Sequence, residues 1–434
     1  MNKKKSAEYL IIGAGPASAA AIESIRKIDG RGKIIVVSSE KDVFYSRPLI
    51  SCLLALEIDK KHIVYRGRDF IEKNSLEIIA PAAVTSVDAR GKSVRLSDGA
   101  RIKWKKLIIA SGGEAIVPEN IAGAKGLRTF TSVEDARRID ADIKSGAKRA
   151  AVIGGGFIGL KCAEALVKRV LKVTLIELAP RVLPSLLDDV SAAVFTRNLT
   201  RRGIDVRTGA RAEKISADGK KLFLADGSKI SVDFTVAAAG VRPNISFLAG
   251  SGIRAAKGVI AGGDMRANFP DIFAAGDCAE TPDFFSGEAR PKARPAPIWP
   301  VARLSGAAAG ANAAGGKVTA EGALSMNSVE VFGLAVISAG IVNPPDGSGL
   351  TVETAGLSDG ASTGGPRYKK LIFDGDRLAG FIMLGDVLRA EIYTGLIRNR
   401  ASVANCKKEL SGDTFGFIAV GEENWKKRIT PMEV

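Results

Sequence analysis

The chain has 434 residues, 46% of them hydrophobic and 25% charged, with a formal charge of +16. That length exceeds one ordinary domain, with about three as the prior, and the apolar content is enough to build real cores. A disordered chain is excluded, and no run approaches the ~18 unbroken apolar residues of a membrane helix, so no membrane span is expected.

The chain opens "MNKKKSAEYLIIGAGPASAA", which has the look of a secretion signal. Its apolar run is too short and broken for one, and a strand over Tyr9 to Ile12 that runs into a glycine loop reads better. In that loop Gly13 permits the tight turn and Gly15 lets a pyrophosphate approach the backbone, while Ser18 takes the third small position. The helix behind it offers free N–H groups and a positive dipole end. The next strand, "KIIVVSSE", is expected to end at Glu40, about twenty residues past the loop, where a ribose hydroxyl needs an acceptor. The same pattern returns in "AAVIGGGFIGLKCAEAL", with Gly154, Gly156 and Gly159 at full spacing. The strand "KVTLIEL" brings Glu177 to its end, 18 residues after Gly159. An acid there binds a 2′-hydroxyl and repels a 2′-phosphate, so NADH is favoured over NADPH; Arg181 is close enough to blur that preference.

Strands and helices alternate over about the first 320 residues, which predicts a parallel α/β architecture. The small-residue run Gly306 to Gly316 predicts a tightly packed helix ending in a turn. From about Ser325 the pattern changes to short strands, "SVEVFGLAVISAGIV" and "YKKLIFDGDRLAGFIMLG", followed by the helix "VLRAEIYTGLIRNR". That order predicts an α+β domain with an antiparallel sheet. "PPDGSGL" and "SDGASTGGP" read as loops and "GEENWKKRITPMEV" as a tail.

Cys52, Cys162, Cys278 and Cys406 form no C-x-x-C pair, so the chain encodes no zinc site or iron–sulfur cluster of its own, and no metal ligands are expected. Widely spaced cysteines suit a reducing compartment, so the cytoplasm is expected. The one histidine, His62, leaves almost no room for histidine catalysis and is more simply a surface residue. Lys and Arg are spread along the chain, which suits a basic surface or an acidic docking partner; no nucleic acid is expected. Two dinucleotide loops in one chain require two dinucleotides, one a bound electron carrier and one an exchangeable donor. That combination points to flavin plus nicotinamide.

Five motifs in order, "GAGPAS", "LIIASGGEAIVP", "GGGFIG", "AAAGVRPN" and "DIFAAGDCAE", resemble the pyridine nucleotide–disulfide oxidoreductase superfamily over about residues 5 to 400. The resemblance implies two doubly wound Rossmann-like domains and a C-terminal α+β interface domain. The FAD domain would be split over 1–113 and 247–320, the NAD domain would occupy 114–246, and the interface domain 321–434. It implies that Asp277, after Gly276, holds the ribityl chain of FAD. Ala110 and Gly112 would lie on the FAD side where the chain crosses over, and Gly240 where it crosses back. "DVFYSRPLISCL" resembles the Y-x-R-P-x-x-S segment of rubredoxin- and ferredoxin-reductase-like members and of the flavin part of NADH-linked nitrite reductases. Arg47 and Pro48 would then cradle FAD, and Cys52 stands outside the thiol-active pattern. Trp299 resembles an aromatic residue near the flavin or nicotinamide ring.

The implied reaction is hydride transfer between nicotinamide and flavin, with electrons passing to a separate, acidic iron–sulfur protein or subunit, as in NAD(H)-linked flavoprotein subunits of larger oxidoreductases. A homodimer is compatible. Phe157 is a candidate gate over the flavin face. Lys161 stands where many relatives carry glutamate and is a candidate tuner of the flavin potential. Two rivals stay open: an NADH oxidase or disulfide reductase working through Cys52, and an FAD-binding structural or signalling module.

Overall fold

The computed structural model describes residues 5–285, 293–358, 365–412 and 415. The expected tail at 421–434 and most of the "SDGASTGGP" loop lie outside the described residues. Two compact units form. The first draws on Met1–Pro118, Arg128–Gly146 and Ala239–Ala323, the second on Glu119–Leu127, Ala147–Ala238 and Leu324–Val434.

The first unit is built on a sheet whose parallel strands run in the order Leu76–Ile79, Ile34–Val37, Lys5–Ile12, Arg101–Ile109, with Ile272–Ala274 added beside the last. Strand Ile34–Val37 is an unbroken apolar run with every side chain buried, as a parallel strand covered on both faces requires. Strand Arg101–Ile109 changes character along its length. It alternates exposed and buried residues where it pairs antiparallel with Ser93–Leu96, then becomes continuously apolar over Leu107–Ile109, where both neighbours are parallel. The first strand starts at Lys5, four residues before the expected Tyr9.

Helix Pro16–Ile28 begins with proline at its first position and packs its alanine face against helix Trp299–Ala313. The approach is backbone-close. A Cβ on Gly306 would fall 2.2 Å from the Ala17 carbonyl oxygen, and one on Gly310 would fall 2.2 Å from that of Ala21. The run of small residues predicted as a packed helix is therefore one, and it starts earlier, at Trp299. Helix Val133–Lys144, inside the stretch the sequence reading gives to the NAD domain, belongs to the first unit. It also packs against helix Ile50–Leu54; Arg137 pairs with Asp42 at 3.1 Å, and just before the helix Arg47 donates to the Thr131 carbonyl at 2.5 Å.

In the second unit, parallel strands run in the order Ile204–Arg207, Lys172–Ile176, Arg149–Ile153, Phe234–Ala237. The helices Phe157–Lys168 and Asp189–Arg201 pack against this sheet. The same unit holds the C-terminal antiparallel sheet, in the order Met326–Val331, Leu334–Gly340, Arg377–Leu384, Arg367–Asp374, Thr351–Ser358. Helix Ala390–Arg398 covers it, with Tyr393 5.7 Å from Phe381 between ring centroids. This is the expected α+β arrangement.

Candidate functional sites

The first glycine loop has the geometry its sequence requires. Gly13 sits at φ +107°, and a Cβ there would lie 2.0 Å from the Ala110 carbonyl oxygen, so only glycine fits. Gly15 caps helix Pro16–Ile28, and a Cβ built on it meets no atom within 4 Å. The space beside Gly15 is thus open in front of the helix; Pro16 has no N–H, so the N–H groups that could meet an anion there begin at Ala17. Ser18 does more than stay small: it is fully buried, and its hydroxyl donates to the Gly13 carbonyl at 2.7 Å, tying helix to loop.

The segment Gly276–Cys278 closes the same place. Gly276 adopts φ +73°, and its N–H donates to the Ser305 hydroxyl at 3.0 Å. A Cβ on Gly276 would meet Ala17 at 3.1 Å and Ala302 at 3.7 Å, so the segment is wedged between the first turns of two helices. Asp277 keeps part of its surface accessible yet lies deep among protein atoms, and burial pushes its carboxyl up, with the Arg47 charge offsetting part of that. Among the described residues, only its own backbone N–H bonds to that carboxylate. A deep carboxylate with acceptor capacity to spare, beside a helix terminus with free N–H groups, suits a polyhydroxyl chain followed by phosphate.

The strand expected to reach Glu40 stops at Val37, and Glu40 stands in the loop beyond. There the Tyr45 hydroxyl donates to one carboxylate oxygen and Arg47 to the other, at 2.5 Å for Arg47. Arg47 is thus fixed by Glu40 and Thr131 together. Pro48 is exposed in the short turn Arg47–Leu49. Ala110 is buried; Gly112, at φ +68°, accepts from the Asn244 N–H at 2.9 Å. Strands Gly113–Ala115 and Val241–Pro243 pair antiparallel, and Gly240, at φ +112°, accepts from the Ile116 N–H beside them. The two crossing segments of the sequence reading therefore lie side by side.

Trp299 is the first residue of its helix, and its ring meets Tyr65 edge-on at 5.0 Å. The Tyr65 hydroxyl is buried with no hydrogen-bond partner among the described residues. Arg66 and Arg303 converge on Glu23 beside this pair, at 2.7 and 3.1 Å. Sequence reasoning missed Tyr65, Glu23 and Ser305. No motif marks them; only the fold brings 23, 65 and 303 together.

The second loop repeats the first with different fastenings. Gly154 sits at φ +115°, and a Cβ on Gly159 would fall 1.9 Å from the Gly154 carbonyl oxygen. Gly156 caps helix Phe157–Lys168 and, like Gly15, would place a Cβ in open space. Glu177 follows strand Lys172–Ile176 directly and accepts the Gly155 and Ala179 N–H groups at 2.5 and 2.7 Å. Arg181 is held by the loop that follows it, donating to Asp189 at 2.8 Å and to the Leu187 carbonyl at 3.2 Å. Phe157 is half-buried at the first helical position.

Lys161, two residues past the last loop glycine, binds the Glu164 carboxylate and the Glu330 carbonyl, the latter at 3.0 Å. Cys52 lies half-buried on helix Ile50–Leu54, while Cys162, Cys278 and Cys406 are buried. Cys278 donates to the Ile109 and Ala275 carbonyls, and burial pushes its thiol up. His62 is exposed on a one-turn helix. Among the described residues, no group of three metal-ligating side chains gathers, and no helix is long and apolar enough to cross a membrane.

A glycine loop opening a helix beside a parallel sheet, once in each unit, is the plan of a two-cofactor reductase fold. Residues 7–302 match the pyridine nucleotide-disulphide oxidoreductase family, and residues 326–401 match the rubredoxin NAD+ reductase C-terminal domain. The chain belongs to the pyridine nucleotide-disulphide oxidoreductase family, whose members work with FAD and a nicotinamide dinucleotide. It is 28% identical to the epsilon subunit of NADH-dependent phenylglyoxylate dehydrogenase of Aromatoleum evansii, over 96% of each chain. It is 30% identical to NADH-rubredoxin oxidoreductase of Clostridium acetobutylicum, over 77% of this chain and 82% of that one. The solved NAD-dependent persulfide reductase from A. fulgidus superposes with a TM-score of 0.82 at 28% identity, covering 90% of this chain and 76% of that one.

Proposed function

We propose that this oxidoreductase carries electrons between NAD(H) and a separate iron–sulfur protein or subunit. The observation that carries the reading is the pair of loops, each with an open helix N-terminus and an acidic residue beyond the next strand. When bound, FAD supplies the step from a two-electron hydride to single electrons. The chain's own residues hold and orient. The Gly13 loop and helix Pro16–Ile28 take the pyrophosphate, Asp277 accepts from the ribityl hydroxyls, and Arg47, fixed by Glu40, keeps a positive charge beside Asp277. Ala110, Gly112 and Trp299 line that site, Pro48 borders it, and Gly240 serves the return crossing. The Gly154 loop takes the second dinucleotide, and Phe157 screens its approach.

Glu177 makes NADH the preferred form. Its carboxylate is anchored by loop N–H groups and keeps lone pairs for a ribose hydroxyl, whereas a 2′-phosphate meets like charge. Arg181 is committed to Asp189 and neighbouring carbonyls, so it does not counter that preference. The domain division at 1–113 with 247–320, 114–246 and 321–434 remains our functional reading, with the last segment available for a homodimer or a partner. The +16 charge suits an acidic acceptor. Support for an external acceptor comes from the relatives' names, a rubredoxin oxidoreductase and a dehydrogenase subunit. The test is NADH-driven reduction of a rubredoxin and of a ferredoxin by the FAD-loaded protein at rising salt. The reading expects turnover that slows as salt rises; turnover with oxygen or a disulfide alone would replace it.

A thiol reading rests on Cys52, which is less buried than the other three cysteines, and on the likeness to a persulfide reductase. Reductive titration without oxygen separates the two. A long-wavelength thiolate–flavin band, lost in Cys52→Ser, would support the thiol route.

A further inference from the structure

The hairpin joining Met326–Val331 to Leu334–Gly340 turns through two residues, Phe332 and Gly333, at φ +50° and +79°. A two-residue turn of this hand asks for positive φ at both positions, which suits Asn or Gly at the first; a phenylalanine there is strained. Such strain persists where the surroundings over-determine the backbone. Here they do. The Phe332 N–H donates to Glu164 at 3.0 Å, the Glu330 carbonyl accepts from Lys161 at 3.0 Å, and the Val331 carbonyl accepts from Asn198 at 3.3 Å. Arg202 lies 5.9 Å from the Phe332 ring centroid.

The grip falls on the helix that matters. Glu164 has a side chain only 6% exposed and is bound by Lys161 and by Lys168, the latter at 3.1 Å, besides the Phe332 N–H. A carboxylate buried that far is stable only when its lone pairs are filled, so turn and helix are held in one geometry. Lys161 lies two residues after Gly159, whose missing side chain lets the helix seat on the Gly154 carbonyl. A small rotation of that helix would open the seat and turn its N-terminal N–H groups away from the loop.

We infer that the hairpin tip Glu330–Phe332 is a positioning element for the nicotinamide dinucleotide site, acting through Lys161 and Glu164 on the helix that opens at Gly156. Lys161 is then a positioning residue rather than a cation for the flavin. The inference rests on the reading that the Gly154–Gly159 loop holds NAD(H).

The experiment uses the full-length, FAD-loaded protein and measures the NADH dissociation constant, the limiting rate of flavin reduction and the FAD midpoint potential. The variants are Lys161→Met, Lys161→Arg and Glu164→Gln. Tyr393→Phe serves as the destabilised control, because it removes a 2.6 Å bond to the Leu410 carbonyl elsewhere in the same unit. Lys161→Met and Glu164→Gln should weaken NADH binding on the order of tenfold with the potential unchanged, Lys161→Arg should restore it, and Tyr393→Phe should bind as wild type. If Glu164→Gln fails to fold, the two Lys161 variants decide. Wild-type NADH affinity in Lys161→Met overturns the inference, and a shifted potential would then place the charge at the flavin. A Tyr393→Phe protein weakened as much as Lys161→Met overturns it too, since general loosening would explain both. If wild-type protein binds no NADH, the reading beneath it falls as well.

Discussion

The two glycine loops share a backbone and differ in what locks them. Around Gly13 the fastenings are side chains: the Ser18 hydroxyl and the Glu40 carboxylate with Tyr45 and Arg47, with Asp277 carried by a segment that Gly276 wedges between two helices. Around Gly154 the loop is seated by the missing side chain of Gly159 and by the Gly155 N–H on the Glu177 carboxylate, itself fixed by the Ala179 N–H, while the helix behind it is held by Lys161 and Glu164 against the hairpin at 330–332. The first arrangement gathers charge and burial around its ligand, which suits a resident cofactor. The second keeps its charged network behind the loop and leaves Gly156 facing open space, which suits a ligand that comes and goes.

The largest effects should come from adding one methyl group to either loop. Gly13→Ala must put a Cβ against the Ala110 carbonyl at a left-handed backbone position, a strain of several kcal/mol. Purified protein should carry little FAD by absorbance. Gly159→Ala should keep FAD but lose NADH-dependent flavin reduction by a factor of roughly a hundred or more. If Gly159→Ala also sheds FAD, the two sites are not independent and the comparison fails.

Asp277 and Glu164 sharpen the contrast through opposite pH behaviour. The Asp277 carboxyl is raised by burial, so in FAD-free protein it contributes stability that is present below the unfolded carboxylate range and lost as pH rises through its folded value. Asp277→Asn should therefore stabilise the FAD-free protein at pH 7 in urea unfolding while weakening FAD binding, by about 1.5–3 kcal/mol for a lost charged acceptor. Glu164 is lowered: its burial acts upward, but Lys161, Lys168 and the Phe332 N–H outweigh it. Its contribution is present above the unfolded value and lost as pH falls through the folded one. Glu164→Gln should cost about 1.5–3 kcal/mol at pH 7, with the gap to wild type closing below about pH 4.5. A gap that stays constant down to pH 3 would show that the charge does not supply it.

A smaller effect is expected at Glu177. Glu177→Ala should shrink the preference for NADH over NADPH by about 1–2 kcal/mol, read as the ratio of kcat/KM values. An unchanged ratio would move the discrimination to another residue.

Local pattern made much of this fold legible. Each loop announces itself through glycine spacing, Glu177 through its place after "KVTLI", and the C-terminal sheet through short apolar runs between Gly and Asp turns. What pattern could not reach is what depends on distant partners. The run "KIIVVSSE" places Glu40 at a strand end, but the strand stops at Val37 and the Glu40 carboxylate is taken by Tyr45 and Arg47 in the loop. Helix Val133–Lys144 and the Thr131 before it meet the first unit at Asp42 and Arg47, contacts that span some ninety residues of chain. Lys161 is marked in the sequence only by its position after the glycines, and nothing in that position foretells a hairpin some 170 residues later. Arg181 lies close to Glu177 in sequence, whereas its geometry is set by the Pro184 and Leu187 carbonyls and by Asp189.

The most direct test of the central claim is a two-stage stopped-flow experiment without oxygen. FAD-loaded protein is first mixed with one equivalent of NADH, and the flavin absorbance is followed; oxidised rubredoxin or ferredoxin is added in the second stage. The account predicts bleaching within seconds, then recovery of the flavin band as the acceptor is reduced, with Gly159→Ala blocked at the first stage. A flavin that NADH leaves oxidised, in protein shown to bind both dinucleotides, would contradict it.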